Sequence, residues 1–358
     1  MDPLLYRLND PNPLTSAYPS IESVAEAIIS LKAQLELPKG TEHFISDIHG
    51  EFEAFSRVLS HASGAIRRRI GEIFDGSLSE KEKVDLGALI YAPEAMLSVM
   101  LPPDDRQTQW YRDTVLRLIH VLRAVSSKYP QAKVRRLMRG RFKAMVAELL
   151  YEQEQLPDKR DYYQGLIEAI VTTGHARAFI VDIANAIQVL AIDHLHVVGD
   201  IFDRGPGAHL ILDRLMRYHS VDIQWGNHDI IWMAAAAGNE ACMANLIRLS
   251  LRYGDVQTLQ NGYAISLLPL ATFAFQTYKD DPCERFLPQS EVSTAGERRL
   301  TAQMHKAATL IQFKLEAKII QRRPDYGLSH RLLLDKIDFD EGTVHIDGKD
   351  HPLLDTRL

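Results

Sequence analysis

The stretch Val197-Val198-Gly199-Asp200-Ile201-Phe202-Asp203-Arg204-Gly205 sets two carboxylates and a guanidinium directly beyond an apolar run. A short apolar run that ends in glycine and polar residues predicts a strand feeding an acid-rich loop. The pattern recurs on either side, in Phe44-Ile45-Ser46-Asp47-Ile48-His49-Gly50 before it and Ile223-Gln224-Trp225-Gly226-Asn227-His228-Asp229 after it. Three predicted strand ends therefore offer oxygen and nitrogen ligands, in the order D-x-H, G-D-x-x-D-R-G, G-N-H-D. Each is followed by a helical pattern: Glu51 to Ser60, the run after Pro206 with Leu210, Ile211, Leu215 and Met216, and Ile230 to Ala237. Strands separated by helices predict an α/β layer with parallel pairing.

Outward from these units the chain changes character. Met1 to Pro19 is rich in turn signals and reads as an irregular arm, and Ser20 is placed to cap a helix over Ile21 to Leu35, with Pro38 and Gly40 as its stop. Between His61 and Asp193 strand signals are scarce, and helical periodicity runs over Trp110 to Tyr129, Val134 to Tyr151 and Ala176 to Ala191. Pro102-Pro103, Pro130 and Pro157 divide this region into several helices. Its most basic segment, Arg135 to Lys143, reads as a solvated helix face. After Gly238 the chain reads helical over Glu240 to Tyr253, Val256 to Tyr278 and Ala295 to Arg323. A hairpin turning at Glu341-Gly342 follows, and then a loop-like end from Asp347. The expected division is 1–60 for the arm and first core part, 61–191 for a helical insertion, 192–238 for further core, and 239–358 for a helical segment with the hairpin.

Composition narrows the function. With 358 residues, 46% hydrophobic and 25% charged, the chain can bury a large core and matches a globular protein. A net charge of -6 argues against nucleic acid or an anionic membrane as the main partner. Cys242 and Cys283 alone cannot make a disulfide framework, which points to a reducing, cytoplasmic compartment. Met1 to Ser20 lacks the basic start and apolar centre of a signal peptide. Ala264 to Phe275, the most apolar long run, is shorter than the roughly 20 residues of a membrane span.

Ligands in open α/β sheets gather at the carboxyl ends of strands, where helix N-termini also point. Carboxylate, imidazole and amide oxygen together suit Mn²⁺, Fe²⁺ or Zn²⁺, and mixed Asp/His/Asn sets are typical of paired-metal hydrolases. A D-x-H alone occurs by chance in many sequences; G-D-x-x-D-R-G after an apolar strand is much more specific, with an Asp-rich turn holding an Asp-Arg ion pair as its plain structural alternative. The three in order point to a metal site.

The three motifs resemble the first three signatures of the calcineurin-like metallophosphoesterases. The long helical insertion and the motif flanks are similar, more narrowly, to class 3 fructose-1,6-bisphosphatases, over essentially the whole chain. The fold this implies is α/β: a calcineurin-like core, here an incomplete β-sandwich, with large helical insertions. The implied cofactor is a pair of Mn²⁺ ions, with Asp47 and His49 on one metal, Asp200 bridging both, and Asn227 on the second. The resemblance further implies that His228 protonates the leaving alkoxide, Asp203 holds that imidazole and raises its basicity, and Arg204 binds the phosphate oxygens. The expected substrate is a sugar bisphosphate, fructose 1,6-bisphosphate in gluconeogenesis, with no nucleic-acid or membrane partner; homo-oligomerisation stays open.

Two further histidine ligands of the second metal, expected from later motifs of the family, have no counterpart here. His305, His330, His345 and His351 do not follow glycine at the end of an apolar strand. The chain therefore reads as the N-terminal part of a longer enzyme. Two alternatives stay open: an inactive remnant or interaction module, and a metallophosphatase acting on phosphoprotein or dinucleoside polyphosphate.

Overall fold

The structure, a computed structural model, describes residues 13–151, 159–289 and 294–353. Most of the N-terminal arm, Pro157 and the last five residues lie outside them. The chain divides into two compact units, Met1–His43 with Ser60–His194, and Phe44–Leu59 with Leu195–Leu358.

In the first unit every described residue between Ser60 and Ala191 is in a helix or a connection between helices. The helix Ala176–Ala191 buries Phe179, Ile180, Ile183, Ile187 and Leu190 at helical spacing, and these join Val115, Leu118 and Leu122 of the helix Asp104–Ser126 in one core. Fully burying each such side chain contributes about 1.5–3 kcal/mol, so this pair is the main support of the unit. Ser79 caps the helix Glu80–Tyr91 in a reciprocal box with Glu82. Ser20 does the same for Ile21–Leu35 with Ser23, as its position predicts.

Two of the expected elements differ from the observed ones here. The arm is not irregular throughout, because Pro13–Ala17 forms a short helix. The run Val134 to Tyr151 is two helices, Gln131–Leu137 and Lys143–Leu150. Gly140 between them has φ +108, and a Cβ there would meet the Asp182 carboxylate at 2.3 Å, the same carboxylate that accepts the Phe142 N–H at 2.9 Å. Helical periodicity continues across the break, which masks a turn that only glycine can make.

The second unit is built on a three-stranded sheet of order β1-β2-β3, with β1 Glu42–Ser46, β2 His194–Gly199 and β3 Val221–Trp225. β2 and β3 run parallel, in a register that sets Leu195 against Val221 and Gly199 against Trp225. Alternation puts Leu195 and Val197 on the face that packs with Phe55, Leu59, Ile211 and Leu215 from the helices Phe52–Ser60 and Ala208–Met216. The other face carries Phe44, stacked on His196 at 4.3 Å, and Val198; Phe44 and Val198 are exposed.

A second core in this unit joins the helices Glu240–Tyr253, Leu268–Thr277 and Ala295–Arg322. The helical run expected over Val256 to Tyr278 is interrupted. Ala264 has φ +55, and Pro269 stands in the first turn of Leu268–Thr277, so the proline starts a helix rather than lying within one. At the C-terminal end the expected hairpin is present as β4 Ile337–Asp338 and β5 Thr343–Ile346, antiparallel. The end is not loop-like, however: β6 Lys349–Pro352 pairs with β5. Asp347 and Gly348 have φ 50 and 77, the left-handed pair of a two-residue hairpin turn, which an Asp-Gly dipeptide favours.

Candidate metal and phosphate site

The three motifs leave the sheet at neighbouring strand ends, and the middle one is bonded to both others. The Asp200 carbonyl accepts the His49 N–H at 3.0 Å, and Asp200 Oδ1 accepts the His228 N–H at 3.0 Å. Further along, the Gly205 N–H donates to the His49 carbonyl and the Gly207 N–H to the Gly50 carbonyl, each at 2.9 Å. The glycines of the motifs are where backbone and carboxylates meet most closely. A Cβ on Gly199 would meet Asp47 Oδ1 at 2.2 Å, and one on Gly226 would meet Asp200 Oδ1 at 2.0 Å. Those two absent side chains leave room for the two carboxylates.

Backbone strain concentrates here. Asp47, His49, Asp203 and Arg204 all have positive φ, four of the eight such non-glycine residues among the described residues. Each costs on the order of 1–3 kcal/mol, a cost that persists only where surrounding bonds enforce it. Asp229 holds the loop that carries two of them, Asp203 and Arg204. It is 1% exposed, its Oδ1 accepts the N–H groups of Ile201 at 3.0 Å and Phe202 at 2.9 Å, and its Oδ2 accepts that of Gly226 at 3.0 Å. Burial pushes its carboxyl above the usual range; the three N–H groups pull it back, and the Asp200 charge adds to the rise.

Asp203 occupies the centre of the side-chain cluster. Its side chain is 3% exposed, and Oδ1 bonds directly to His49 Nδ1. Oδ2 lies 3.4 Å from Arg204 Nε and 3.7 Å from His228 Nε2. The closest partner of Asp203 is thus His49, with His228 just outside hydrogen-bond range. Arg204 is 58% exposed and free to reach outward.

The donor chemistry fits a divalent transition metal: two carboxylates, an imidazole and an amide sit on three loops whose backbones are bonded together. The ligating atoms of Asp47, His49 and Asp200 do not all fall within 4.8 Å of one another, and His49 Nδ1 is turned to Asp203. The structure thus brings the loops together and leaves the His49 and Asp200 side chains in hydrogen bonds of their own.

The later histidines stand elsewhere. His305 is buried with Nδ1 on the Phe286 carbonyl at 2.9 Å, His345 bonds Asp350 at 2.8 Å on the terminal hairpin, and His330 and His351 are exposed. One group the sequence does not single out does reach this cluster: Asp255, beyond the helix Glu240–Tyr253, lines a cavity with Asp203, Arg204 and His228. It follows Gly254 in no recognisable motif, so no local pattern marks it.

Sheet order, parallel pairing and a polar motif beyond each of β1, β2 and β3 define an α/β protein with a polar, strained, metal-compatible centre. A family model described as Firmicute fructose-1,6-bisphosphatase matches residues 11–358, and the chain belongs to that family. It is 53% identical over 349 residues to a class 3 fructose-1,6-bisphosphatase of Bacteroides fragilis, covering 96% of this chain and 53% of the relative. A protein of the same name from Clostridium botulinum strain Hall is 51% identical over 347 residues, covering 96% and 52%. One from Bacteroides thetaiotaomicron is 50% identical over 349 residues, covering 96% and 53%. The chain thus spans about half the length of the curated relatives it matches. No solved structure matches it.

Proposed function

We propose that this chain carries the reaction centre of a metal-dependent phosphatase that removes the 1-phosphate of fructose 1,6-bisphosphate, leaving fructose 6-phosphate and inorganic phosphate. The observation that carries the reading is the position of Asp200, whose carbonyl and carboxylate bond the backbones of both flanking motifs. A residue that ties three loops carrying carboxylate, imidazole and amide groups would be placed to hold metal ions between them. The name shared by relatives about half identical over nearly the whole chain supports the substrate.

Asp47, His49, Asp200 and Asn227 would hold the ions, and Mn²⁺ suits their mix of oxygen and nitrogen. Bound there, the metal supplies Lewis-acid polarisation of the phosphoryl oxygens and neutralises the charge that builds on them. The chain's own groups do the rest. Arg204, exposed at the rim, binds two phosphate oxygens through its planar fork and sets the phosphorus for in-line attack by water. As the bond from phosphorus to the C1 oxygen breaks, His228 gives its proton to the leaving alkoxide. Asp203, at 3.7 Å, stabilises the imidazolium before transfer and orients its ring.

The fold that goes with this reading is a calcineurin-like core. Its support is the parallel β2–β3 pair with ligands at the strand ends, and the exposed Phe44 and Val198 on the face that a sandwich covers. In the same reading the helical segment 61–191 is an insertion between the first and second core strands, and 239–358 is a second addition. Cys242 and Cys283 form no disulfide, which suits a cytoplasmic enzyme of gluconeogenesis. Among the described residues no helix is long and apolar enough to cross a membrane.

The test is phosphate release in Mn²⁺ from fructose 1,6-bisphosphate, a phosphopeptide and a dinucleoside polyphosphate side by side. The sugar bisphosphate is expected to be preferred; faster release from either other substrate contradicts the assignment.

A second reading concerns the chain by itself, and the engaged or exposed later histidines favour it. The first metal has Asp47, His49 and Asp200, whereas the second has only Asp200 and Asn227. On this reading one ion binds well, the second weakly, and turnover is low. Metal content after dialysis decides: two retained ions with rapid turnover would contradict it.

A further inference from the structure

Behind the cluster of Asp203, Arg204 and His228 lies a small cavity of about 20 Å³, closed by Tyr253, Asp255 and Thr258. That is room for about one water molecule, provided polar partners line it. Polar partners are present. Asp255 Oδ1 is shut away from solvent and has no hydrogen-bond partner among the described residues, and the same holds for Asp203 Oδ2. Two buried carboxylate oxygens without a hydrogen bond are costly, the Asp203 one relieved only in part by the Arg204 guanidinium at 3.4 Å, and such groups in native proteins usually mark an unseen water or proton, or a functional role.

Asp255 is also fixed in place. Gly254 ends the preceding helix with φ 73, and the Asp255 N–H then donates to the Ser250 carbonyl at 2.8 Å. On the other side, Thr258 donates its hydroxyl to Asp255 Oδ2 at 3.3 Å. The residue is 9% exposed. The ionisable groups lining the cavity with it are Asp203 and Arg204 from the β2 loop, His228 from the helix Asn227–Ala236, and Tyr253 from its own helix.

We propose that Asp255 is a positioning residue of this site: across the cavity its carboxyl donates, through one water, to Asp203 Oδ2 and so holds the carboxylate that stands against His228 and Arg204. The assignment rests on the phosphatase reading for its consequence, though not for its geometry. Protonation supports it. Burial pushes the Asp255 carboxyl up to about 6, the Thr258 and Gln257 bonds pull against this, and the Asp203 charge adds to the rise. Above that range Asp255 ionises, the donor is lost, and Asp203 is released.

The experiment has two arms on the full chain. In the first, the Asp255 carboxyl is followed by carbon NMR in labelled protein, in wild type and in Asp203→Asn. Its midpoint is expected to fall by about one pH unit when the Asp203 charge is removed. A midpoint that does not move shows that the two carboxyls are not coupled and overturns the proposal. The second arm measures Mn²⁺-dependent hydrolysis of p-nitrophenyl phosphate by Asp255→Asn and Asp255→Leu between about pH 5 and 8. Asn keeps a donor at every pH, so its rate relative to wild type should rise as pH passes about 6. Leu should lose about tenfold in kcat below about pH 6, at unchanged KM, and approach wild type above it, where the wild-type donor is lost as well. Equal, pH-independent losses in both variants would mean a merely structural role and overturn the proposal. A wild-type chain with no hydrolysis would count against the phosphatase reading, and the first arm would still decide this one.

Discussion

Asp229 Oδ1 accepts the backbone N–H of Phe202 at 2.9 Å, so a residue of the third motif holds the backbone of the second. The same carboxylate takes the N–H groups of Ile201 and Gly226. One buried side chain thereby fixes the loop that carries Asp200, Asp203 and Arg204 against the loop that carries Asn227 and His228.

Replacing Asp229 by alanine leaves three N–H groups without their acceptor, of which those at Ile201 and Phe202 are buried. With roughly 1–3 kcal/mol for each buried unsatisfied group, the variant should lose about 3 kcal/mol or more in urea unfolding. Asp229→Asn keeps a carbonyl acceptor and should lose clearly less. Equal stability of the alanine variant and wild type would show that the clamp does not form.

Gly226 has φ -80, so alanine there is not strained by its backbone; its Cβ would instead strike Asp200 Oδ1 at 2.0 Å. Gly226→Ala should therefore displace a ligand and weaken Mn²⁺ binding by about 10–100-fold, the usual effect of disturbing the groups around a metal's ligands. Titration calorimetry with Mn²⁺ checks this, and unchanged affinity would remove Asp200 from the ligand set.

Lys306 is fully buried and donates to Asp281 Oδ2 at 2.7 Å. Burial pushes the Asp281 carboxyl up, but the Lys306 ammonium and the Cys283 N–H together bring it below the usual carboxylate range. A depressed folded pKa contributes stability that is present above the unfolded pKa and lost as pH falls through the folded one. Lys306→Met strands the carboxylate and should cost about 3–5 kcal/mol at neutral pH. The deficit should shrink in acid, where Asp281 protonates, which unfolding at several pH values would show.

Much of this architecture is legible in the sequence because local physics decides it. Leu195 and Val197 alternate in and out of a sheet, Ser20 has a capping partner three residues on, and Ala176 to Ala191 repeats its apolar residues every three or four positions. The breaks at Gly140 and Ala264 are not legible, since each depends on a left-handed residue inside an otherwise helical pattern. The Asp347-Gly348 turn is readable in principle and yields a third strand in the terminal sheet. At the site, the motifs give the residues but not their pairing. That Asp203 bonds His49 and leaves His228 at 3.7 Å depends on how three loops close on one another, and Asp255 comes from 52 residues further along the chain (255 − 203). Tertiary closure of that kind leaves no local signal.

Asp255 carries a pH signature in stability as well. Its folded pKa, about 6, lies above the ordinary 3.8, so its contribution is full below the unfolded value and is lost as pH rises through about 6. Asp255→Asn cannot ionise. Relative to wild type it should therefore gain on the order of 1–3 kcal/mol between about pH 4 and 7 in urea unfolding. A difference that stays constant with pH would place the carboxyl in an ordinary environment.

Asp47, His49 and Asp200 are proposed as ligands of one transition metal, with Asp200 shared toward Asn227. Equilibrium dialysis against Mn²⁺, comparing wild type with Asp200→Asn, tests it without requiring turnover. Wild type is expected to hold one ion firmly and a second weakly, and the variant to lose about 100-fold at the first site and all measurable binding at the second. Mn²⁺ bound equally by wild type and variant would contradict the assignment.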